Sequence, residues 1–153
     1  MITDEKKQAL KQFLSIPDED MNDIKVSQWD ENEVEIYGQE YLVLTDMEAD
    51  NRAREDIERS LWAFQPSFIL SHCSTYERMT NWEYDSAKEA LEKIQGHFCE
   101  GINELIKAMI SDMDKFVDDA ICTDGRGHFI SMYDGKENEE EVNGITYYIY
   151  RTN

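Results

Sequence analysis

A short polar run near the C-terminus carries the residue types that acid–base chemistry needs. The polar cluster consists of Asp124, Arg126, His128, Tyr133 and Asp134. A carboxylate near a histidine can orient a general base, and an arginine between two glycines can hold an oxyanion or a phosphate. One interpretation is therefore a small enzyme or a nucleotide-binding protein. The alternative is that Asp124 and Arg126 fix a turn while His128 lies on a strand.

The sequence lacks the motifs that would assign a reaction to this cluster. It contains no Walker loop, no dinucleotide-binding GxGxxG, no HExxH, no GxSxG and no deaminase zinc motif. Histidine and cysteine occur together in three places: His72-Cys73, His97-x-Cys99, and Cys122 with His128. No Cys-x-x-Cys pair accompanies them, so buried thiols explain the cysteines better than zinc does. We predict no catalytic residue, no metal site and no cofactor.

The strongest feature of the composition is negative charge. Asp and Glu number 34 against 15 Lys and Arg, which gives a formal net charge of −19. This charge disfavours contact with nucleic acid or anionic lipid and favours a cationic surface on another protein. Eight carboxylates near the C-terminal run are predicted to form one partner-binding surface: Asp112, Asp114, Asp118, Asp119, Glu137, Glu139, Glu140 and Glu141. Two alternatives are that the charge serves solubility alone, and that Glu139 to Glu141 protect a sheet edge from aggregation.

Length and hydropathy limit the class of protein. A chain of 153 residues with 41% hydrophobic residues can form one core, so we predict a single domain over residues 1–153. No apolar run has the length of a membrane span, and the acidic N-terminal residues do not resemble a signal peptide. The three cysteines, an odd number, are typical of reduced thiols in a cytoplasm.

Hairpin signals predict an antiparallel sheet from two separate parts of the chain. Two apolar runs on either side of Gly38-Gln39 predict a hairpin with glycine first in a two-residue turn. Asn143-Gly144 is a second hairpin signal, and the β-branched and aromatic residues over 145–151 predict a strand after it. Residues 128–133 are assigned alternately to two faces, with His128, Ile130 and Met132 on one face and Phe129, Ser131 and Tyr133 on the other, which also predicts a strand.

Capping signals and helical spacing predict the helices. Thr3 begins the first helix, and Thr45 with Glu48 forms a capping box for a second helix that ends just before Pro66. Further helices are predicted over residues 82–95, 97–110 and 111–121. Gly96 is predicted to stop the first of these three. The fold class is therefore α+β, with several helices packed on a small antiparallel sheet made of an early hairpin and C-terminal strands.

Two segments resemble a known group of proteins. Asp124-Gly-Arg-Gly-His128, the following Tyr133-Asp134-Gly135 and the closing Tyr148-Ile-Tyr-Arg-Thr-Asn153 resemble the C-terminal signature of small, acidic, uncharacterised bacteriophage proteins. The segment Tyr41 to Asp50 resembles the strand and acidic helix that precede it. Together these segments cover about a third of the chain. The resemblance implies a phage or prophage origin and brings no established activity with it.

Charge and resemblance together predict a phage accessory protein in the cytoplasm of a bacterial host. Its expected partner is a basic surface of a host protein that binds nucleic acid, without direct contact to nucleic acid or membrane. The most specific form is an inhibitor of a defence nuclease, of the anti-CRISPR or anti-restriction type, that occludes a basic groove by mimicking DNA charge. Trp29 is a candidate exposed anchor. An oligomeric structural phage protein is a further alternative, and the oligomeric state is left open.

Overall fold

The computed structural model describes residues 2–153 and divides the chain into two compact units. Unit 1 contains the chain up to Ala53 together with Asp124–Asn153, and unit 2 is Arg54–Thr123. The single domain expected over residues 1–153 stays a prediction. No helix in the described part of the chain is long and apolar enough to cross a membrane.

A five-stranded antiparallel sheet organises unit 1. Its strands in chain order are β1 Lys25–Val26, β2 Glu33–Ile36, β3 Gln39–Leu44, β4 Asn138–Val142 and β5 Ile145–Arg151. They lie side by side in the order β1-β2-β3-β5-β4, so β3 and β5 join the early and the C-terminal parts of the sheet. At this junction Leu42 pairs with Tyr150.

Both hairpin turns place two residues at positive φ. Asn143-Gly144, with φ of 54° and 80°, joins β4 to β5 as predicted. The early turn is shifted by one residue, because Ile36 pairs with Gln39 and leaves Tyr37-Gly38 as the turn, with φ of 53° and 75°. A turn with positive φ at both positions prefers glycine second, as in Asn-Gly. The prediction that glycine comes first, in Gly38-Gln39, is therefore wrong.

Helix α1, Asp4–Leu14, covers one face of the sheet. It begins at the predicted cap, where the Thr3 side chain accepts a hydrogen bond from the Lys6 N–H. Its buried residues share one core with alternate residues of the strands: Ala9, Leu10, Val34, Ile36, Tyr41, Val43, Val142, Tyr147 and Ile149. Because side chains alternate along a strand, Leu42, Leu44, Tyr148 and Tyr150 lie on the other face.

The remaining helices follow in chain order. They are α2 Asp46–Arg59, α3 Pro66–Ser71, α4 Asn81–Phe98, α5 Asn103–Met109, α6 Met113–Asp124 and α7 Arg126–Ile130. Helix α2 begins in unit 1 and ends in unit 2. Seven helices and a five-stranded antiparallel sheet among the described residues confirm the α+β class, with the sheet built from the early hairpin and the C-terminal strands.

Helix ends are the least accurate part of the predictions. Helix α2 stops at Arg59, where the Ser60 hydroxyl donates to the Asp56 carbonyl at 2.6 Å and competes with the helical hydrogen bonds. Helix α4 continues through Gly96 to Phe98, so Gly96 is not its stop. The predicted helix over residues 97–110 is instead the end of α4, a 3₁₀ turn and α5.

An ion pair between a buried lysine and a half-exposed glutamate connects α1 to the beginning of α2. The Lys6 Nζ donates to Glu48 Oε2 and to Asn32 Oδ1, each at 2.6 Å. Glu48 also accepts the Thr45 N–H at 2.8 Å, which completes the predicted capping box. Burial alone would raise the pKa of Glu48, but the hydrogen bonds from Lys6 and Thr45 together lower it from its ordinary value of 4.5.

We expect Glu48→Gln to lower the free energy of unfolding at pH 7 by about 2 kcal/mol, because the buried Lys6 ammonium loses its counter-charge. A lowered carboxyl pKa stabilises the fold above pH 4.5 and this contribution is lost as the pH falls below it. The free energy of unfolding, measured in urea, should therefore change less for the variant than for the wild type between about pH 5 and pH 3. Glu83→Gln is the matched control, since Glu83 forms a capping box with Thr80 and, within the described part of the chain, has no lysine partner. Equal losses in both variants would contradict a role for the ion pair.

Candidate functional site

The C-terminal polar run does not contain the predicted strand. Arg126–Ile130 form the short helix α7, and turns occupy the chain from there to β4. Gly125, with φ of 80°, separates α7 from α6. The strand prediction over residues 128–133 is wrong, because alternation over so few residues does not distinguish a strand from a single helical turn.

Arg126 is bound by carboxylates of its own chain. Its guanidinium donates to both oxygens of Glu137, from Nε at 2.9 Å and from Nη2 at 3.1 Å. Nη1 donates to Asp46 and to Asp50, each at 2.8 Å. The guanidinium also lies 4.3 Å from the centre of the Tyr148 ring, and the side chain is 11% exposed. We call these five residues the Arg126 cluster.

The Arg126 cluster is a structural ion pair network. Burial alone would lower the pKa of Arg126, but the hydrogen bonds to Glu137, Asp46 and Asp50 raise it above its ordinary value. The fully buried Tyr150 donates its hydroxyl to Glu137 Oε2 at 2.5 Å, and burial with this hydrogen bond raises the pKa of Tyr150. Arg126 is therefore a fixed cation directed at its own carboxylates and is not available to hold an oxyanion or a phosphate.

Asp134 and Tyr133 have local partners of their own. Asp134 Oδ1 accepts the Ser131 hydroxyl at 2.9 Å and the Lys136 N–H at 3.0 Å, which stabilises the turn before β4. The hydrogen bond from the Lys136 N–H lowers the pKa of Asp134, burial opposes this change, and the hydrogen bond from Ser131 adds to the lowering. The Arg151 guanidinium lies 3.6 Å from the centre of the Tyr133 ring. Both residues thus organise the turn rather than a reactive centre.

His128 and Asp124 do not form a catalytic pair. Both are exposed, and within residues 2–153 neither hydrogen-bonds to another member of the polar cluster. The His128 ring contacts the neighbouring Phe129 ring edge-on, with centroids 4.9 Å apart. The carboxylate–histidine contact that a general base requires is therefore not formed in this part of the chain.

The second set of predicted residues contains three consecutive glutamates on β4. Glu139, Glu140 and Glu141 lie on an outer strand of the sheet, and we call them the acidic edge. Glu139 pairs with Tyr148 and so shares its face, together with Glu141, whereas Glu140 pairs with Tyr147 on the α1 face. In the described part of the chain none of the three has an ion-pair partner. The edge therefore presents unneutralised carboxylates on both faces.

The predicted aspartates belong to unit 2 and are partly neutralised. Asp112 accepts the Lys115 N–H at 3.0 Å and caps α6. Asp114 pairs with Arg54 at 2.5 Å. Asp118 is exposed and has no ion-pair partner among residues 2–153. Since Glu137 is also held within the Arg126 cluster, a single surface formed by all eight carboxylates stays a prediction.

Asp119 is held by a buried histidine. The His72 ring nitrogens face two acceptors, Asp119 Oδ2 at 2.9 Å from Nε2 and the Phe68 carbonyl at 2.8 Å from Nδ1. Lys115 Nζ donates to the same Asp119 oxygen at 2.7 Å. The hydrogen bonds from Lys115 and then His72 lower the pKa of Asp119. No group of three or more His, Cys, Asp or Glu in residues 2–153 is arranged to hold a metal ion.

Trp29 lies at a third polar surface, between β1 and β2. Its side chain is 89% exposed, as expected for an anchor. It lines an open concavity of about 450 Å³ with Glu33, Glu35 and Glu40. Glu35 and Glu40 lie directly opposite each other on β2 and β3, and among residues 2–153 Lys25 is the only cation in the lining. An exposed indole beside carboxylates suits a cationic side chain of a partner.

Comparison with protein-family models, with curated protein sequences and with solved structures found no match to this chain. The resemblance to small acidic bacteriophage proteins therefore stays a prediction. Fold and site geometry together define an acidic α+β protein with a charged sheet edge and a polar C-terminal run whose Arg126 is paired with carboxylates of its own chain.

Proposed function

We propose that this protein binds a basic, nucleic-acid-binding surface of another protein and blocks it by charge. The observation that carries the proposal is the acidic edge, in which Glu139, Glu140 and Glu141 follow one another on an outer strand without ion-pair partners among residues 2–153. A strand advances about 3.4 Å per residue and its side chains alternate between faces, so Glu139 and Glu141 are about 7 Å apart on one face. One strand of duplex DNA carries a phosphate about every 3.4 Å along the helix axis, so this face matches the spacing of every second phosphate.

The distribution of positive charge supports the proposal. Most of the 15 lysines and arginines are already in ion pairs with carboxylates of the same chain. These are Lys6, Lys11, Lys25, Arg52, Arg54, Arg59, Lys93, Lys107, Lys115 and Arg126. The formal charge of −19 already includes these cations, so the charges that remain outside ion pairs are mainly carboxylates. Cationic grooves are the surfaces that such a field attracts.

In the most specific form of this function, the protein is a phage inhibitor of a host defence nuclease, of the anti-CRISPR or anti-restriction type, and acts in the bacterial cytoplasm. The resemblance of Asp124 to Asn153 to bacteriophage proteins supports this form. The partner is a basic protein surface, and neither nucleic acid nor membrane is contacted directly. Protection of the sheet edge from aggregation is the competing role, and the position of β4 at an edge favours it too.

The test compares two variants with equal charge. Glu139→Gln, Glu140→Gln and Glu141→Gln together remove the acidic edge, while Glu77→Gln, Glu92→Gln and Glu100→Gln remove three exposed carboxylates of unit 2. The immobilised protein is incubated with bacterial lysate at about 50 mM and about 200 mM salt. We expect a nucleic-acid-binding partner that is retained at low salt, is bound about tenfold more weakly by the edge variant and is bound normally by the control. Equal retention by both variants would reject the acidic edge. Self-association of the edge variant alone would support edge protection instead.

Trp29 provides a second prediction for the same partner. We expect Trp29→Ala to weaken retention of the partner by about tenfold or more, since exposed tryptophans are frequent hot spots of binding. The unfolding midpoint should not change, because the indole is almost fully exposed. Trp82→Ala is the control, as Trp82 is a similarly exposed tryptophan of unit 2. Equal retention by the wild type and Trp29→Ala would exclude Trp29 as an anchor.

A further inference from the structure

An open apolar groove lies within unit 2. It has a volume of about 400 Å³ and is bordered by α3, α4, α5 and the segment between α3 and α4. Its largest lining side chains are apolar: Leu70, Met79, Leu91, Ile94, Leu105 and Met109. The polar side chains in the lining, such as Ser74 and Thr75, come from one short segment. A site for a small polar ligand would instead have several convergent polar groups.

The groove continues onto an exposed apolar surface. Leu105 is 53% exposed, and Phe98, one helical turn after Ile94 on α4, is 58% exposed. Exposed apolar side chains that are contiguous with a groove are typical of a protein interaction site. Met79 and Met109 suit such a site, because their flexible side chains adapt to the shape of a partner.

The charges around the groove indicate the chemistry of its occupant. Residues 54–123 contain 14 Asp and Glu against seven Lys and Arg. Glu83 lies one helical turn before the groove residue Ala87 on α4, and Glu104 lies one turn before the groove residue Ala108 on α5. Of the nearby cations, Lys93 is paired with Glu89 at 2.6 Å and Lys107 with Glu58 at 2.8 Å, whereas Arg78 and Lys88 adjoin the groove residues Met79 and Ala87. The excess of carboxylates over unit 2 as a whole therefore sets the sign of the field. A second copy of this acidic chain would be repelled, whereas a cationic partner would be attracted.

We propose that this groove binds an amphipathic helix of a partner protein that carries lysine or arginine at both ends. Its apolar side chains, spaced i, i+3 or i+4, and i+7, enter the groove, and its cations lie near Glu83 and Glu104. The groove belongs to unit 2 and the acidic edge to unit 1, so this site does not depend on the function proposed above.

The test uses a synthetic 18-residue peptide with leucines at helical spacing, lysines at both ends and uncharged polar residues elsewhere, and a scrambled peptide of the same composition. Titration calorimetry measures binding, and circular dichroism measures the helix formed by the peptide. We expect one-to-one binding of the amphipathic peptide with a gain in helix, and binding of the scrambled peptide weaker by about tenfold or more.

Matched variants locate the site. Leu105→Gln should weaken binding of the amphipathic peptide about fivefold or more, because it removes an apolar contact. Ile145→Gln changes an apolar residue of unit 1 with similar exposure and should leave binding unchanged. Glu104→Gln should reduce the salt dependence of peptide binding. Glu92→Gln, which removes an exposed carboxylate elsewhere on α4, should not reduce it.

Equal binding of both peptides, with no effect of Leu105→Gln, would overturn the proposal and indicate attraction to the acidic chain as a whole. A dimer of the protein that Leu105→Gln dissociates would also overturn it, since a second copy would then occupy the groove.

Discussion

Replacing Gly127 by alanine is expected to lower the free energy of unfolding by about 3 kcal/mol or more. A Cβ at this position would lie 2.5 Å from the Gly135 carbonyl oxygen, 2.7 Å from the Lys136 carbonyl carbon and 2.8 Å from the Glu137 nitrogen. All three are backbone atoms, so no side chain can rotate away to make room. The chain before β4 would have to move, and Glu137 would move with it, away from Arg126.

Urea unfolding followed by circular dichroism measures this effect. Gly96→Ala is the matched control, because Gly96 lies inside α4 and a Cβ there meets no atom of the described residues within 4 Å. Alanine is the better helix former, so this control should stabilise the protein by about 0.5–1 kcal/mol. A stability of Gly127→Ala equal to that of the wild type would mean that α7 does not pack against residues 135–137 as described.

Replacing Arg126 by methionine is expected to destabilise the protein by about 3 kcal/mol, because Glu137, Asp46 and Asp50 would then face one another without a cation. Of the three carboxylates, Glu137 should contribute most to this loss of stability, since it is largely buried and also accepts a hydrogen bond from the Tyr150 hydroxyl. Arg126→Lys should lower the free energy of unfolding by about half as much, because lysine keeps the charge but cannot donate to both oxygens of Glu137 as arginine does. Unfolding in urea at low and high salt measures both variants.

Arg59→Met is the control for Arg126. Arg59 also pairs with two carboxylates, Glu55 and Asp56, but it is 69% exposed. Exposed pairs contribute little, so the control should change stability by less than about 0.5 kcal/mol. If Arg126→Met lowered the free energy of unfolding no more than Arg59→Met does, Arg126 would be dispensable for folding. The polar cluster would then again be a candidate reactive site.

Local signals predicted those parts of the fold whose causes lie within a few residues. Thr3 caps α1, Thr45 with Glu48 begins α2, and Asn143-Gly144 turns the C-terminal hairpin. In each case the bonds connect residues at most three positions apart. Taken together, the capping and hairpin signals along the chain also predicted the α+β class, because a fold class depends on the sum of many such local signals.

The candidate site was harder to predict because its contacts are long-range. Arg126 meets Asp46 and Asp50, which lie about 80 residues earlier in the chain. No spacing rule links Arg126 to Asp46 and Asp50. The sequence therefore allowed the interpretation that Arg126, between two glycines, binds a ligand. The sequence also contains no signal that predicts the tight packing of Gly127 against residues 135–137. By contrast, the exposure of Trp29 was predictable from its polar neighbours.

The most direct measurement is a competition between this protein and DNA for the partner retained in the lysate experiment. Fluorescence anisotropy of labelled duplex DNA bound to that partner is followed while the unlabelled protein is added. We predict full displacement of the DNA, weaker displacement at high salt and about tenfold lower potency of the variant that lacks the acidic edge. A ternary complex, in which DNA stays bound at saturating protein, would contradict occlusion of a basic groove.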